Sequence, residues 1–174
     1  MEEEQTKTTL KLNCQSKNFI DRYFDRSYVK LTHTYYFVHS NGLVVSGLSK
    51  CHPALSSEIT SFKCLLPLPR EGLSDKGQLV SGKKKHGGIQ LSKGQRLFEI
   101  EAGGVKYIIR SCIKAIVLEL NEAIMKGDYK WLKERPEEAG YLFIADLNSN
   151  HKLDEQELEK TASTFRERED KPSA

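Results

Sequence analysis

Two stretches of the chain carry side chains whose types and spacing could do chemistry. The first is Asp146-Leu147-Asn148-Ser149-Asn150-His151-Lys152-Leu153-Asp154-Glu155-Gln156-Glu157. Asp146, Asn148, Asn150, Asp154 and Glu157 fall at positions 1, 3, 5, 9 and 12 of a calcium loop, the spacing that lets one loop wrap a cation in oxygen ligands. Position 6 is His151, where the sharp turn wants a glycine with positive φ. The residues before the loop, 141–145, are alternating β-formers and not an entering helix. Asp154 with Glu157 three residues later is close to a capping box, and Leu153 and Leu158 are spaced as a hydrophobic staple. A helix starting after Asp154 is therefore the expectation, with no metal, and a calcium-responsive regulator through residues 146–157 stands as an alternative.

The second stretch is Ser81-Gly82-Lys83-Lys84-Lys85-His86-Gly87-Gly88, a cationic turn between glycines. Lys83, Lys84, Lys85 and His86 could contact an acidic partner surface. They could equally be the tip of a hairpin whose lysines keep edge strands from pairing. No aromatic residue interleaves with the lysines, so base stacking is not the expected mechanism. The stretch also lacks the Gly-Lys-Ser/Thr ending of a phosphate-binding loop.

Catalytic constellations are missing from the linear sequence. The five histidines (His33, His39, His52, His86, His151) are scattered, with no Gly-x-Ser-x-Gly elbow and no His-Glu-x-x-His. Cys14, Cys51, Cys64 and Cys112 lie far apart without a Cys-x-x-Cys pair, which argues against a zinc site or a disulfide framework. The expectation is a non-enzyme without a cofactor, with incidental thiols, in the cytosol or nucleus. At 174 residues the chain fits one domain with tails, and 38% hydrophobic content suffices for a core. A net charge of +3 is too mild to argue for direct nucleic-acid binding. No apolar run approaches the ~20 residues of a membrane span, and the acidic start Met1-Glu2-Glu3-Glu4 does not read as a secretory signal.

The elements that must position these residues are mostly strands. Residues 1–15 read as a mobile tail. Ser16 could cap a short helix whose pairs Phe19/Tyr23 and Ile20/Phe24 share a face. From residue 34 to 120 the pattern is short strands broken by turns. Tyr35-Tyr36-Phe37-Val38 and Leu43-Val44-Val45 flank Asn41-Gly42, a strong hairpin signal. Residues 59–66, 78–81, 96–100, 105–109 and 112–120 read as further strands, the last apolar on both faces and so expected to be central. A helical patch near Trp131-Leu132, a strand over 141–145 and a helix from Asp154 with Leu158, Ala162 and Phe165 on one face complete the domain. The whole reads as mainly β with flanking helices, one domain over 16–165, and a charged tail over 166–174.

Residues 94–147 resemble a lipoyl or biotinyl hairpin of the glycine-cleavage H-protein type. Lys93-Gly94-Gln95-Arg96-Leu97-Phe98-Glu99-Ile100-Glu101-Ala102 is similar to its first half. Residues 111–124, ending Asn121-Glu122-Ala123-Ile124, are similar to the strand and Asn-Glu-Ala continuation, and Gly140-Tyr141-Leu142-Phe143-Ile144 to the strand that follows. The resemblance implies a barrel-sandwich hybrid fold. It puts the carrier lysine on Gly104, in a Gly103-Gly104 pair, with Lys106 two residues further on. A carrier needs a lysine ammonium at the hairpin tip, and none is present at Gly104.

A second resemblance spans most of the chain. Asp21-Arg22-Tyr23-Phe24, His39-Ser40-Asn41, Ser49-Lys50-Cys51-His52-Pro53, Val80-Ser81-Gly82-Lys83, Ser111-Cys112, Asn121-Glu122 and Lys133-Glu134-Arg135-Pro136 through Gly140-Tyr141 recur together and in order as in the Abitram (Simiate) family. The threonine-rich N-terminus and residues 146–157 depart from it. The resemblance implies an unlipoylated hybrid motif that binds monomeric and filamentous actin, influences polymerisation and filopodia, and has cytoplasmic and nuclear-speckle pools. A carrier or lipoyl-transfer relative remains the alternative.

Overall fold

The structure is a computed structural model and describes residues 22–68, 88–148 and 152–169, the last four of these as backbone only. Two antiparallel sheets face each other. One has the strand order β1-β2-β3-β9-β8-β5, the other β4-β6-β7. In chain order the strands are β1 (Phe24–Val29), β2 (Thr34–His39), β3 (Leu43–Leu48), β4 (Ile59–Cys64), β5 (Ile89–Leu91), β6 (Arg96–Ala102), β7 (Val105–Arg110), β8 (Ala115–Leu120) and β9 (Phe143–Asp146). A 3₁₀ turn at Pro53–Ser56 leads from one sheet to the other. Helices α1 (Glu122–Met125), α2 (Lys130–Glu134) and α3 (Glu155–Glu169) lie outside the strands. This is the mainly-β class expected from the sequence.

The β2–β3 hairpin forms where Asn-Gly signals it. Gly42 has φ +86°, its N–H donates to His39 O at 2.9 Å, and Asn41 Oδ1 accepts from Leu43 N at 3.0 Å. β2 is buried on both faces. Tyr36 and Val38 enter the main core, while Tyr35 and Phe37 stack on the other face with ring centroids 4.3 Å apart. Tyr35 fits because Gly47 lies directly opposite it, where a Cβ would meet the Tyr35 hydroxyl at 2.9 Å.

Between the sheets a contiguous apolar cluster runs from Val29 to Phe165, with Phe98 of one sheet against Phe143 of the other at 6.3 Å. β8 lies inside its sheet, as expected, but its apolar residues of both parities have a specific cause. A bulge between Val117 and Glu119 shifts the alternation, so Ala115 and Val117 before it and Leu120 after it all reach the core.

Several element boundaries differ from the sequence reading. Phe24, expected on a helix face with Ile20, opens β1, and the helical segment ends at Tyr23. Pairing with β2 along all six residues outweighs the i,i+4 aromatic spacing. Cys112 and Ile113, expected in a strand, occupy a turn closed by Ser111, whose Oγ donates to Ile113 O at 2.8 Å. The strand expected over 59–66 ends at Cys64, and the one expected over 141–145 runs from Phe143 to Asp146. β5 is an element the sequence reading lacks. The N-terminal tail over 1–15, the helix start at Ser16, the strand over 78–81 and the last residues of the C-terminal tail lie outside the described residues.

Candidate functional site

The hairpin between β6 and β7 holds Gly104, the position on which the sequence resemblance puts a carrier's lysine. Ala102 pairs with Val105, which leaves a two-residue turn of Gly103 (φ +57°) and Gly104 (φ +77°). Positive φ at both central residues is a type I′ turn, which matches the strand twist and favours glycine. Gly103 is also fixed from below. Its N–H donates to Glu58 O at 3.2 Å, and a Cβ there would meet Ser57 Oγ at 2.7 Å. Gly104 faces open space, with no atom within 4 Å of its would-be Cβ. The tip therefore has room for a lysine and does not carry one. Lys106, the nearest lysine, sits within β7 beside Glu99 at 3.4 Å. Its stem runs along the sheet and not off the tip.

This geometry carries a direct prediction. Gly104→Lys places a side chain where nothing obstructs it, at the strain of one left-handed residue, roughly 1 kcal/mol. The variant is expected to fold with a small loss in urea stability; a loss comparable to a core truncation would contradict the open tip.

Ser57 and Glu58, beneath the tip, follow a 3₁₀ turn that Ser49-Lys50-Cys51-His52-Pro53 opens. Ser49 N donates to His33 O at 2.8 Å, and His52 N to Ser49 O at 3.0 Å. The buried His52 caps the 3₁₀ turn, its Nδ1 accepting from Ala54 N at 3.1 Å, with Pro53 as the first residue of the turn. Nδ1 is therefore the unprotonated nitrogen. Burial, and then His33, push the imidazole pKa down to about 4. His33 lies edge-on to His52 at 6.3 Å, and His52 edge-on to Tyr107 at 5.4 Å. These rings line one end of a groove of about 320 Å³ along β7, which Phe165 and Ala162 of α3 close from the other side.

Other recurrent motifs also hold backbone. Asn121 Nδ2 donates to Ala139 O at 2.9 Å and to Tyr141 O at 2.8 Å, while its Oδ1 accepts from Ala123 N at 3.2 Å. One side chain thus ties the start of α1 to the strand entry after Gly140. Pro136 O accepts from the Tyr35 hydroxyl at 2.9 Å. Tyr23 stacks on His39 at 6.3 Å, and Phe24 meets the same ring edge-on at 5.1 Å. The Cys112 thiol, under the Ser111 turn, is raised by burial to about 11; its N–H donates to the Tyr36 hydroxyl at 3.0 Å.

Lys83, Lys84, Lys85 and His86 lie outside the described residues, as does Asn150. Of the remaining calcium-loop residues, Asp146 is the buried end of β9, and its Oδ1 accepts from Asn148 N at 2.7 Å. Asp154 accepts from Gln156 N at 3.0 Å and from Leu158 N, through its carbonyl, at 3.0 Å, so it caps α3. Glu157 pairs with Lys93, which lowers its carboxyl pKa. A strand, not a helix, enters the stretch. Leu153 and Leu158 both pack on the core, as a staple would. Among the described residues no group of three or more His, Cys, Asp or Glu side chains is placed to hold a metal.

No protein-family model matches the chain. Its fold is similar to the crystal structure of a glycine cleavage system H protein from Mycobacterium marinum, with a TM-score of 0.50 over 74% of this chain and 87% of that one. At 17% identity that likeness shows the fold alone, a lipoyl-type barrel-sandwich hybrid. Curated proteins named Protein Abitram are similar in sequence. The Xenopus tropicalis protein is 33% identical over 132 residues, covering 72% of this chain and 71% of that protein. The Drosophila melanogaster protein is 36% identical over 129 residues, with 58% of its length spanned. The human protein is 31% identical over 136 residues, covering 73% of each. Relatives at 31–36% identity that cover more than 70% of this chain show its kinship, and this chain belongs to the Abitram family.

Proposed function

We propose that the protein is a non-catalytic module that binds monomeric and filamentous actin and influences its polymerisation. The observation that carries the non-carrier half of this reading is the hairpin tip. A swinging arm needs a nucleophilic amine at the turn, and Gly103-Gly104 offers only backbone there. The actin half rests on membership of the family and on what its resemblance implies. Lys83, Lys84, Lys85 and His86 are the proposed contact, because a cationic segment complements an acidic protein surface. The same reading places the protein in the cytoplasm, in actin-rich projections such as filopodia and lamellipodia, and in nuclear speckles, with a role in transcription.

Cosedimentation with filamentous actin tests the actin half, both the binding and its proposed contact. Wild type is expected to pellet with filaments, and the combined Lys83→Glu, Lys84→Glu, Lys85→Glu variant to stay in the supernatant. Equal pelleting of the two removes the lysines from the contact, and no pelleting by wild type removes filament binding. Intact mass after coexpression with a lipoylating system is expected to be unchanged; a lipoyl adduct would move the protein to the carrier class.

A further inference from the structure

β7 is an edge strand. In its sheet it pairs with β6 on one side and, among the described residues, with no strand on the other. Which of its backbone groups point outward follows from the turn. In a two-residue hairpin the flanking pair, Ala102 with Val105, exchanges both hydrogen bonds, and the pattern then alternates. Glu101–Lys106 and Glu99–Ile108 are thus the non-bonded pairs, and the N–H and C=O of Lys106 and Ile108 face away from β6. An edge with free donors and acceptors is a template for another extended chain.

The groove described above lies along this edge, and the charged side chains that line it are cationic; Glu99, which pairs with Lys106 at 3.4 Å, belongs to β6, on the side of β7 away from the edge. Lys106 and Arg110 line it with His33 and His52, and no Asp or Glu side chain does. Lys106, Ile108 and Arg110 alternate onto the outer face of β7, while Tyr107 and Ile109 pack toward the core. Arg110 is already oriented, with Nη1 donating to Gly94 O at 2.9 Å and its guanidinium over the Phe165 ring at 6.0 Å. A strand laid on this edge would set its own alternate side chains against a cation, an aliphatic residue and a cation.

We propose that the free edge of β7 binds an extended acidic peptide segment of a partner protein by strand addition, with the pattern acid-x-apolar-x-acid. The two acids sit against Lys106 and Arg110, and the apolar residue between them sits against Ile108. The pattern is symmetrical about its centre, so it fits a parallel or an antiparallel strand. Main-chain hydrogen bonds to Lys106 and Ile108 supply the register.

The test uses the full chain and a fluorescein-labelled peptide, Thr-Glu-Thr-Val-Thr-Glu-Thr, read by anisotropy. A control peptide with both glutamates replaced by lysine is expected to bind about tenfold more weakly, since each cross-strand pair changes from opposite to like charge. Lys106→Glu reverses one of the two pairs and is expected to weaken binding about threefold. Ile108→Pro removes one outward N–H from an edge strand, a position where proline is tolerated, and should abolish binding. Should that variant not fold, Lys106→Glu carries the decision, with its melting curve as the folding control. Amide shifts on adding the acidic peptide to 15N-labelled protein are expected to centre on residues 105–110. No binding of the acidic peptide overturns the proposal, as do equal binding of both peptides, shifts centred elsewhere, and unchanged binding by folded Lys106→Glu.

Discussion

Gly140→Ala is expected to destabilise the protein by about 3 kcal/mol, at the upper end of the usual cost of overpacking a tight contact. A Cβ on residue 140 would lie 2.4 Å from Trp131 O and 2.7 Å from Leu132 Cα. Both are backbone atoms of α2, so no side-chain rotation relieves the clash. The glycine N–H also donates to Arg135 O at 2.9 Å, and α2 cannot retreat without stretching that bond. Retreat is blocked on two more sides. Leu132 is fully buried in the core, and the Asn121 amide holds the carbonyls of Ala139 and Tyr141 on either side of the glycine. Urea denaturation reads the loss directly, and thermal unfolding should fall by roughly 10 °C. A change below about half a kcal/mol would show that α2 is free to move, and would remove the close approach as the reason for glycine here.

The sequence made legible what local chemistry decides. Asn41-Gly42 announces the β2–β3 hairpin, and Asp154 with the staple residues announces the start of α3. What depends on tertiary pairing was not legible. In β1, charged Asp25 and Arg26 interrupt the alternation, and the strand holds because Arg26 lies over the Phe37 ring at 5.2 Å and Tyr28 meets it edge-on at 5.7 Å. β5 is three residues long, too short for any period to show, and exists through its pairing with β8. The groove along β7 draws on the β1–β2 turn, the His52 segment, β7 itself and α3, which no linear spacing brings together. A partial signal for the His52 segment was present, because a histidine followed by proline is a plausible cap and first-turn pair.

The Gly103-Gly104 turn acquires a second meaning beside its empty tip. Two positive-φ glycines make the hairpin tight, and the tight turn fixes which backbone groups of β7 point outward. The same two residues therefore form a tip without a lysine and set the outward register of β7. Ser57 and Glu58, held by the 3₁₀ turn that His52 caps, keep that geometry in place from beneath.

His52 makes that support sensitive to acid. Its pKa is about 4 in the folded protein, against about 6.5 for an unperturbed histidine. The folded state thus binds fewer protons than the unfolded chain between these values, and stability rises with pH across the window. The contribution is fully present above pH 6.5 and is lost as pH falls toward 4. Protonation is opposed twice, because the charged ring is buried and because Nδ1 must surrender its bond from Ala54 N. Between pH 7 and pH 5 the loss amounts to about 2 kcal/mol, on 1.36 kcal/mol for each unit below the unfolded pKa. His52→Asn keeps a capping acceptor but has no proton to gain, so its stability should change less over the same interval. The comparison is the difference in urea stability between pH 7 and pH 5 for the two proteins, which cancels the carboxylates they share. Equal pH dependence in wild type and variant would mean that His52 is not held neutral, and would detach the histidine from the support of the hairpin tip.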